Sequence, residues 1–600
     1  MVRREWKNQE VANLLREVAA AYTVKGDDKF RIAAYEEAAV GVEHASSLVR
    51  DMWEEGKLEE IPGVGKAIAE YLDELFRTGR VRHFEDLIGD LPPAMFELLP
   101  MRAIGPKTAY KLAKALGITK RQGAVSRVAR AAQEGQIAKI PGFGEEMQKK
   151  ILEVIKEESQ KEDRMPLMEA DELADRLTFY LKEENAVLTA DPLGSLRRRA
   201  ATVGDVDISV ATREPKRVLD HLVKWKEVKE VLAAGENTAR VLLNNGKQVD
   251  VKTVLPDEYG ALLQHYTGSK QHNIHLRTVA QEKGLSLSEY GIKINQKLKV
   301  KSQKLGRKIN KFATEEGFYK YLGMEWIPPE MREDKGEIEV ALKKKVPKVV
   351  GLGEIKGDLH IHSDFRIETS HDEGASSMVE IMKMGESLGY EYVGLTEHNP
   401  SHSQHTEARV LDILKRKKGK IEQINGSWKA FVKKRVYILN GLEVDIRPDG
   451  ELAVPEKALD LLDFAIVSVH GSFDLPEKKM TDRVIAALSH PKCKILGHPT
   501  GRIIGRREEI ELDWERLFDF CKKNDKWLEI NAWPWRLDLP DYLVREAVRW
   551  GVKLVIGTDS HVMDQMKIME YGVSVARRGW ACAGDIVNTL SEEDFSRLLK

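Results

Sequence analysis

Thiols are scarce: Cys493, Cys521 and Cys582 are the only cysteines in 600 residues, and none belongs to a Cys-x-x-Cys pair. That argues against a disulfide scaffold and a thiolate zinc site, and it fits a reducing cytoplasm. Long apolar runs are missing too. None approaches the roughly 20 residues of a membrane span, and Met1-Val2-Arg3-Arg4-Glu5-Trp6 is followed by no apolar signal region. A soluble, cytoplasmic protein with no membrane partner is therefore expected. Net charge is nearly absent. Charged residues make up 32% of the chain, yet they sum to only -1, so the distribution of charge, not its total, has to identify any polyanionic partner. A chain of this length is expected to hold several domains, each with its own core.

What is present begins with Gly194-Ser195-Leu196-Arg197-Arg198-Arg199, which leads into Thr202-Val203-Gly204-Asp205-Val206-Asp207-Ile208-Ser209-Val210. Strand alternation puts Asp205 and Asp207 on one face and Val206 and Ile208 in a core. Two adjacent carboxylates repel unless a cation lies between them, and hard oxygen donors suit Mg²⁺ bridging to phosphate. Val249-Asp250-Val251 offers a third carboxylate. Three aspartates on adjacent strands can hold two metals for an in-line attack on phosphorus, while Gly194-Ser195 and Arg198 supply backbone and guanidinium donors to a triphosphate. A bare Asp-x-Asp also fits the solvated face of an edge strand; the Gly-Ser-Arg lead-in and the downstream aspartate favour the metal site.

The pattern resembles the nucleotidyltransferase motif of family X DNA polymerases, the family of DNA polymerase beta. The resemblance implies Asp205, Asp207 and Asp250 as catalytic ligands of two Mg²⁺ or Mn²⁺ ions, with Asp250 on the primer side. It also implies Gly194, Ser195, Arg198 and Gly204 as triphosphate contacts. His265-Tyr266-Thr267-Gly268-Ser269 resembles the family's Tyr-Phe-Thr-Gly-Ser segment, which places His265, Tyr266 and Gly268 towards the sugar of the incoming nucleotide, Asn273 towards its base and Arg277 towards the template strand. His265 departs from the aromatic of the eukaryotic members, so sugar discrimination does not carry over. Every charged residue from Lys293 to Lys311 is basic, and Lys297-Leu298-Lys299-Val300-Lys301 alternates like a hairpin with one cationic face. Such a face can lie along template phosphates or simply stay solvated.

Ahead of the aspartates, apolar residues recur at helical spacing from Asn8 to Ala39. Ile61-Pro62-Gly63-Val64-Gly65-Lys66 then forms a two-glycine hairpin opening a helix, whose backbone NH groups can grip a DNA phosphate without reading sequence. Copies follow at Ile104-Gly105-Pro106-Lys107, degenerate, and at Ile140-Pro141-Gly142-Phe143-Gly144. Singly, each also reads as an ordinary turn; together they resemble helix-hairpin-helix units, which implies DNA contacts at Gly63, Gly65, Lys66, Gly105, Lys107, Gly142 and Gly144. Some family X members cleave an abasic sugar through a Schiff base on a lysine after the first hairpin. Tyr71 stands at that position, and a phenol cannot form the imine, although Lys66 is close by.

A different chemistry starts at Gly357. Asp358-Leu359-His360-Ile361-His362, Thr396-Glu397-His398, Leu442-Glu443-Val444-Asp445, Val469-His470, Gly497-His498, Leu528-Glu529-Ile530-Asn531 and Thr558-Asp559-Ser560-His561 each put His, Asp or Glu at or near the end of a short apolar run. That is how a (β/α) barrel presents a metal site at one rim, and mixed imidazole and carboxylate donors fit Zn²⁺ or Mn²⁺. The series resembles the polymerase and histidinol phosphatase (PHP) domain, a distorted (β/α)₇ barrel with up to three metals. The resemblance implies His360, His362, Glu443 and Asp559 on one metal, His398 and His561 on a second, and Glu443, His470 and His498 on a third. Two candidates compete for one further place: Glu373, by counting back from Gly374, and His371. Glu397 replaces the usual aspartate before His398 and keeps a supporting carboxylate there. Arg502, Arg506 and Arg507 are placed either to hold a DNA phosphate or on a solvated face.

The expected architecture is multidomain α+β. Residues 1–85 form a helix-hairpin-helix domain, 86–165 a helical fingers-like domain, 166–258 a nucleotidyltransferase palm, 259–335 a thumb-like subdomain, 336–355 a linker and 356–600 the PHP barrel. Together the two resemblances imply a monomeric, nucleoid-associated family X polymerase that uses deoxynucleoside triphosphates to fill short gaps or nicks in double-stranded DNA during repair. They add a PHP 3′–5′ exonuclease that extends to abasic-site or 3′-phosphate chemistry. The competing expectation is a PHP phosphoesterase whose amino-terminal half only clamps DNA.

Overall fold

Helical periodicity becomes helical packing in the first 150 residues. Val11, Leu15, Val18 and Tyr22 line one face of helix Asn8–Lys25, and Tyr35, Ala38, Ala39 and Val42 line one face of Lys29–Glu43; all are buried against each other. The computed structural model describes residues 6, 8–43, 49–54, 56–99, 104–121, 123–152, 164–294, 309–401, 403–428 and 436–599. Met1–Asp163 with Val469–Leu475 makes one compact unit, and Arg164–Ser468 with Pro476–Lys600 makes another. Within the first unit one core continues from Leu72 and Phe84 through Phe96 and Leu112 to Ile137 and Ile151, so the expected division near residue 85 is not a gap in packing. Full burial of an apolar side chain of this size is worth about 1.5–3 kcal/mol.

The second unit opens with a five-stranded sheet. Strands Thr189–Pro192, Val206–Ala211, Gln248–Val254, Thr238–Leu243 and Val228–Ala234 lie in that spatial order, the second and third parallel and the other neighbours antiparallel. Helices Leu167–Leu181 and Pro215–Leu222 pack on it. Helix Tyr259–Thr267 follows directly. Within it Gly260 is required by close packing: a Cβ on it would stand 2.1 Å from the Thr314 carbonyl carbon. Helix Lys270–Glu282, helix Glu315–Tyr321 and helix Glu337–Leu342 complete this part. Their shared core joins Leu276, Phe318, Tyr319 and Ile327 to Ile338, Ala341, Val349 and Trp580. The segment expected as a linker at 336–355 is thus built into a core.

One ion group fastens that core. Arg332 is fully buried and donates to Glu315 Oε1 at 2.6 Å; Arg197 donates to Oε2 at 2.8 Å and to Thr267 Oγ1 at 2.6 Å. Burial alone pushes the Glu315 carboxyl up, but Arg332 and Arg197 prevail and hold it at about 2. A depression of that size is worth about 3 kcal/mol. It is present above the unfolded carboxyl's ordinary range and lost as pH falls towards 2. Glu315→Gln strands two guanidiniums and is expected to cost about 3–5 kcal/mol at pH 7. The check is unfolding of wild type and variant from pH 7 down to pH 3: the gap should narrow with acid, and a gap that stays constant removes Glu315 from the pH-dependent stability.

The remainder is a ring of parallel strands alternating with helices. Gly357–Ile361, Tyr392–Leu395 and Tyr437–Asn440 pair in sequence, as do Glu443–Asp445, Ala465–Ser468, Cys493–Leu496, Trp527–Asn531 and Leu554–Gly557. Tyr437–Asn440 and Glu443–Asp445 are two halves of one strand, broken at Gly441-Leu442. A parallel bridge from Ile361 to Ser560 joins the first strand to the last, and one from His398 to Glu443 spans the break. Counted this way the ring has seven strands, the distorted (β/α)₇ arrangement.

Candidate active sites

In the sheet, Asp207 lies directly opposite Asp250 in the parallel register of Val206–Ala211 and Gln248–Val254. Neighbouring strands run about 4.8 Å apart, so the backbone itself forces the two carboxylates together. Asp205 precedes the strand and is exposed, Asp207 is half-buried and Asp250 is buried. Lys252 Nζ donates to Asp207 Oδ1 at 2.8 Å, and Arg240 donates to both oxygens of Asp250 at 2.7 and 2.9 Å. Burial pushes the Asp207 carboxyl up, Lys252 pulls it back, and Asp205 and Asp250 raise it further. Three clustered carboxylates that repel one another suit a hard divalent cation.

Turn 194–199 packs on this patch. Gly194 has φ +58°, and a Cβ there would stand 3.6 Å from Asp207 Oδ2. Ser195 and Gly204 are half-buried beside it. Arg198 is engaged: its Nε donates to Glu333 Oε1 at 2.9 Å and its Nη1 to the Thr267 carbonyl at 2.6 Å. Gly268 lets that guanidinium pass, since a Cβ on it would meet Arg198 Nη1 at 3.1 Å. The Lys252 ammonium lies 4.9 Å from the centre of the Tyr266 ring, and Tyr266 meets His265 edge-on. These contacts bring the aspartates, the arginine turn and the His265–Gly268 segment together. Asn273 braces that segment, donating to the His265 carbonyl at 2.7 Å and accepting from Gln264 at 2.9 Å. Arg277 is exposed. The alternating basic run 297–301 lies outside the described residues; at its border Lys311 pairs with Glu258 at 3.0 Å and Asp257 at 3.3 Å.

The hairpin glycines of the first unit divide into two kinds. Gly63, φ +78°, is held against helix Lys29–Glu43, where a Cβ would meet the Glu37 carbonyl carbon at 2.5 Å. Gly65, Gly105 and Gly144 have open space around them, and Lys66, Lys107 and Gly142 are exposed. Residues 100–103 of the second hairpin lie outside the described residues. Tyr71 stacks on His83 at 5.1 Å, and the same His83 meets the Tyr22 hydroxyl at 2.7 Å.

At the carboxyl rim of the strand ring the imidazoles converge. One donor atom from each of His360, His362 and Asp559 lies within 4.8 Å of the others, and the same holds for His362, His398 and His561. His360 Nε2 is 3.4 Å from Glu443 Oε2, and His498 Nε2 is 3.0 Å from Glu443 Oε1. His360 Nε2 and both ring nitrogens of His362 are buried without a hydrogen bond of normal geometry. Burial opposes a charge on His360, yet Glu529, Glu443 and Asp559 outweigh it and push its pKa well above the ordinary value; burial and the neighbouring His398 hold His362 down to about 3. Buried nitrogens aimed at one another among carboxylates are a donor set that fits divalent metal. His498 and Asp559 have φ of +29° and +55°, strain of the kind that gathers at functional sites. His470 follows strand Ala465–Ser468 by two residues, in the segment that groups with the first unit.

Three contributors escape a reading of the sequence for ligands. Glu529 accepts from His360 Nδ1 at 2.6 Å and from the His498 backbone at 2.6 Å, orienting both; its place in the strand-end series was the signal. Asp372, its side chain 76% exposed, stands 3.2 Å from His561 Nε2 and 3.6 Å from His398 Nε2; Glu373 is exposed as well, and His371 pairs with Asp445 at 2.9 Å, stacks on His398 and brings a donor atom within 4.8 Å of one on His398. Asp372→Asn is expected to weaken metal binding by at least about 10-fold, with Glu373→Gln unchanged, by metal content after dialysis; the reverse result gives the place to Glu373. The third is Arg536, whose Nη1 is buried without a hydrogen-bond partner and whose Nε is 3.9 Å from Asp559. Arg502 and Arg507 instead hold the loop, on the Arg536 and Gly501 carbonyls, and Arg506 lies over Trp535.

A nucleotidyltransferase-type sheet followed by a ring of imidazoles defines a two-centre enzyme of phosphate chemistry. Residues 6–81 match the helix-hairpin-helix domain, 96–157 the SAM-like helix-hairpin-helix tandem, 262–333 the DNA polymerase beta thumb and 358–532 the PHP domain. The DNA polymerase/3′-5′ exonuclease PolX of Bacillus subtilis (strain 168) is 32% identical over 594 residues, 99% of each chain. DNA polymerase lambda of Rattus norvegicus is 25% identical over 54% of this chain and 56% of its own; a probable phosphatase of Thermoanaerobacter sp. (strain X514) is 25% identical over 39% of this chain and 89% of its own. The chain belongs to the bacterial family X DNA polymerases, with a polymerase beta-like core and a carboxyl-terminal PHP domain. Divalent metal ions, DNA and nucleotides go with that membership. No helix among the described residues is long and apolar enough to cross a membrane.

Proposed function

We propose that this DNA polymerase and 3′–5′ exonuclease fills short gaps in DNA during repair, extending primers at Asp205, Asp207 and Asp250 and trimming 3′ ends at the PHP rim. The observation that carries the polymerase assignment is the register of Asp207 opposite Asp250, beside the Gly194 turn. Asp205, Asp207 and Asp250 would hold two Mg²⁺ or Mn²⁺ ions, which when bound would neutralise triphosphate charge and make the primer hydroxyl easier to deprotonate. Lys252 and Arg240 balance the aspartates until then. Arg198 and the 194–199 turn are assigned to the triphosphate, and His265 and Tyr266 to its sugar. Exposed NH groups at Gly65, Gly105 and Gly144 hold DNA backbone without reading sequence.

At the rim, His360, His362, Glu443 and Asp559, with His398, His561, Asp372, His498 and His470, are assigned to Zn²⁺ or Mn²⁺, up to three ions, which would polarise the phosphodiester and generate the attacking hydroxide. Glu529 keeps His360 in register, and Arg536 is assigned to a phosphate oxygen of the DNA. Abasic-site cleavage and 3′-phosphate removal are further proposed reactions of this centre, as are a monomeric state and a nucleoid location. The competing clamp reading asks nothing of three aspartates, so their juxtaposition counts against it. The test is one gapped duplex with Mn²⁺: wild type should lengthen the primer with deoxynucleotides and shorten it without them. Shortening with no extension under any nucleotide condition makes the amino-terminal half a clamp.

A further inference from the structure

Three successive arginines leave turn 194–199 in three directions. Arg197 joins the Glu315 group. Arg199, φ +56°, donates to Ser574 Oγ at 3.1 Å and lies 5.2 Å over the Tyr571 ring, both on helix Met569–Arg578 of the PHP barrel. Arg198 reaches Glu333 Oε1 at 2.9 Å. That same oxygen accepts from Arg578 Nη1 at 3.0 Å, and Arg578 Nη1 also donates to the backbone carbonyl of Arg198 at 2.7 Å. The second nitrogen of Arg578, Nη2, is fixed on Asp541 Oδ2 at 3.0 Å. The side chains are 10% exposed for Arg578, 14% for Arg198 and 20% for Glu333. A helix of the nuclease barrel thus holds the arginine turn by its backbone and shares the counter-ion of its guanidinium.

A triphosphate that takes Arg198 has to take it from Glu333. A carboxylate left alone at so low an exposure is costly, because water replaces little of the lost partner. Arg578 remains on the same oxygen, so Glu333 stays compensated when Arg198 departs. We propose that Arg578 of the PHP barrel is a positioning residue for the polymerase centre: it anchors the Arg198 carbonyl and keeps Glu333 neutralised, so that the Arg198 guanidinium can be given up to a nucleoside triphosphate. This rests on the assignment of Arg198 to the triphosphate.

Opposed signs follow. Glu333→Gln removes the competitor and leaves Arg578 on Asp541, so the KM for deoxynucleotide should fall about 3-fold. Arg578→Met leaves Arg198 as the sole cation for Glu333 and loosens the turn, so KM should rise about 10-fold, the worth of one charged hydrogen bond, with kcat within about 2-fold. Arg578→Lys should return KM towards wild type. Packing damage alone moves every variant the same way and lowers kcat. The experiment is steady-state primer extension with the full chain, alongside 3′ shortening as a check that the barrel is folded. KM rising in both Glu333→Gln and Arg578→Met, or unchanged in both while Arg198→Ala raises it, overturns the proposal. An Arg198→Ala chain with wild-type KM instead brings down the triphosphate assignment itself. Should Arg578→Met fail to fold, the direction of the Glu333→Gln shift decides alone.

Discussion

Asp250→Asn is expected to lower nucleotide incorporation by at least about 1,000-fold while leaving 3′ shortening within about 2-fold of wild type. The change keeps size and strand geometry and removes one negative charge from a site whose value lies in concentrating negative charge. Asp250 is buried, faces Asp207 across one strand spacing and accepts two hydrogen bonds from Arg240. An amide there can accept one of those bonds and offers a far weaker ligand to a hard cation. Single-turnover extension with saturating nucleotide reads the chemical step, and extension within about 10-fold of wild type would show that Asp250 is not one of the catalytic carboxylates.

His360→Ala should do the converse, cutting 3′ shortening by at least about 1,000-fold with extension nearly unchanged. His360 stands between Glu529 at 2.6 Å, Glu443 at 3.4 Å and Asp559 at 3.6 Å, so its loss removes a ligand and releases the carboxylate that orients it. Metal content after dialysis should drop in parallel. Near-ultraviolet circular dichroism separates a lost ligand from a lost fold. Two centres predict two separable losses; if a folded Asp250→Asn or His360→Ala chain loses both reactions, a single shared centre is the better description.

The adjacency of Asp207 and Asp250 is legible because two-residue alternation and parallel pairing leave few other places for carboxylates in otherwise apolar strands. The seven-stranded ring is legible for a similar reason: chemistry-bearing residues recur after short apolar runs at the end that barrels use. Loops are where legibility stops. Nothing periodic distinguishes Asp372 from Glu373: both are exposed, and only the distances from Asp372 to His561 and His398 set them apart. Arg536 is invisible because what sets it apart is that carbonyls occupy Arg502 and Arg507 while its own Nη1 has no hydrogen-bond partner, a matter of tertiary contacts. Asn273 and Arg198 show the same limit: both are found by motif, yet their partners, the His265 carbonyl and Glu333, come from segments that no local pattern connects to them. The linker expected at 336–355 reads as basic and short, and its apolar residues are too few to announce the core they enter.

That core has a practical outcome. Ile338, Ala341 and Val349 pack with Trp580, which lies more than 200 residues further along, so the boundary that a domain map draws near 350 cuts through a shared apolar core. A polymerase half expressed without the barrel bares that surface and loses the residues that hold turn 194–199 in place. Residues 164–468 and 476–599 belong to one unit of packing and are expected to be one unit of manufacture as well, a scaffold whose two workshops share a wall.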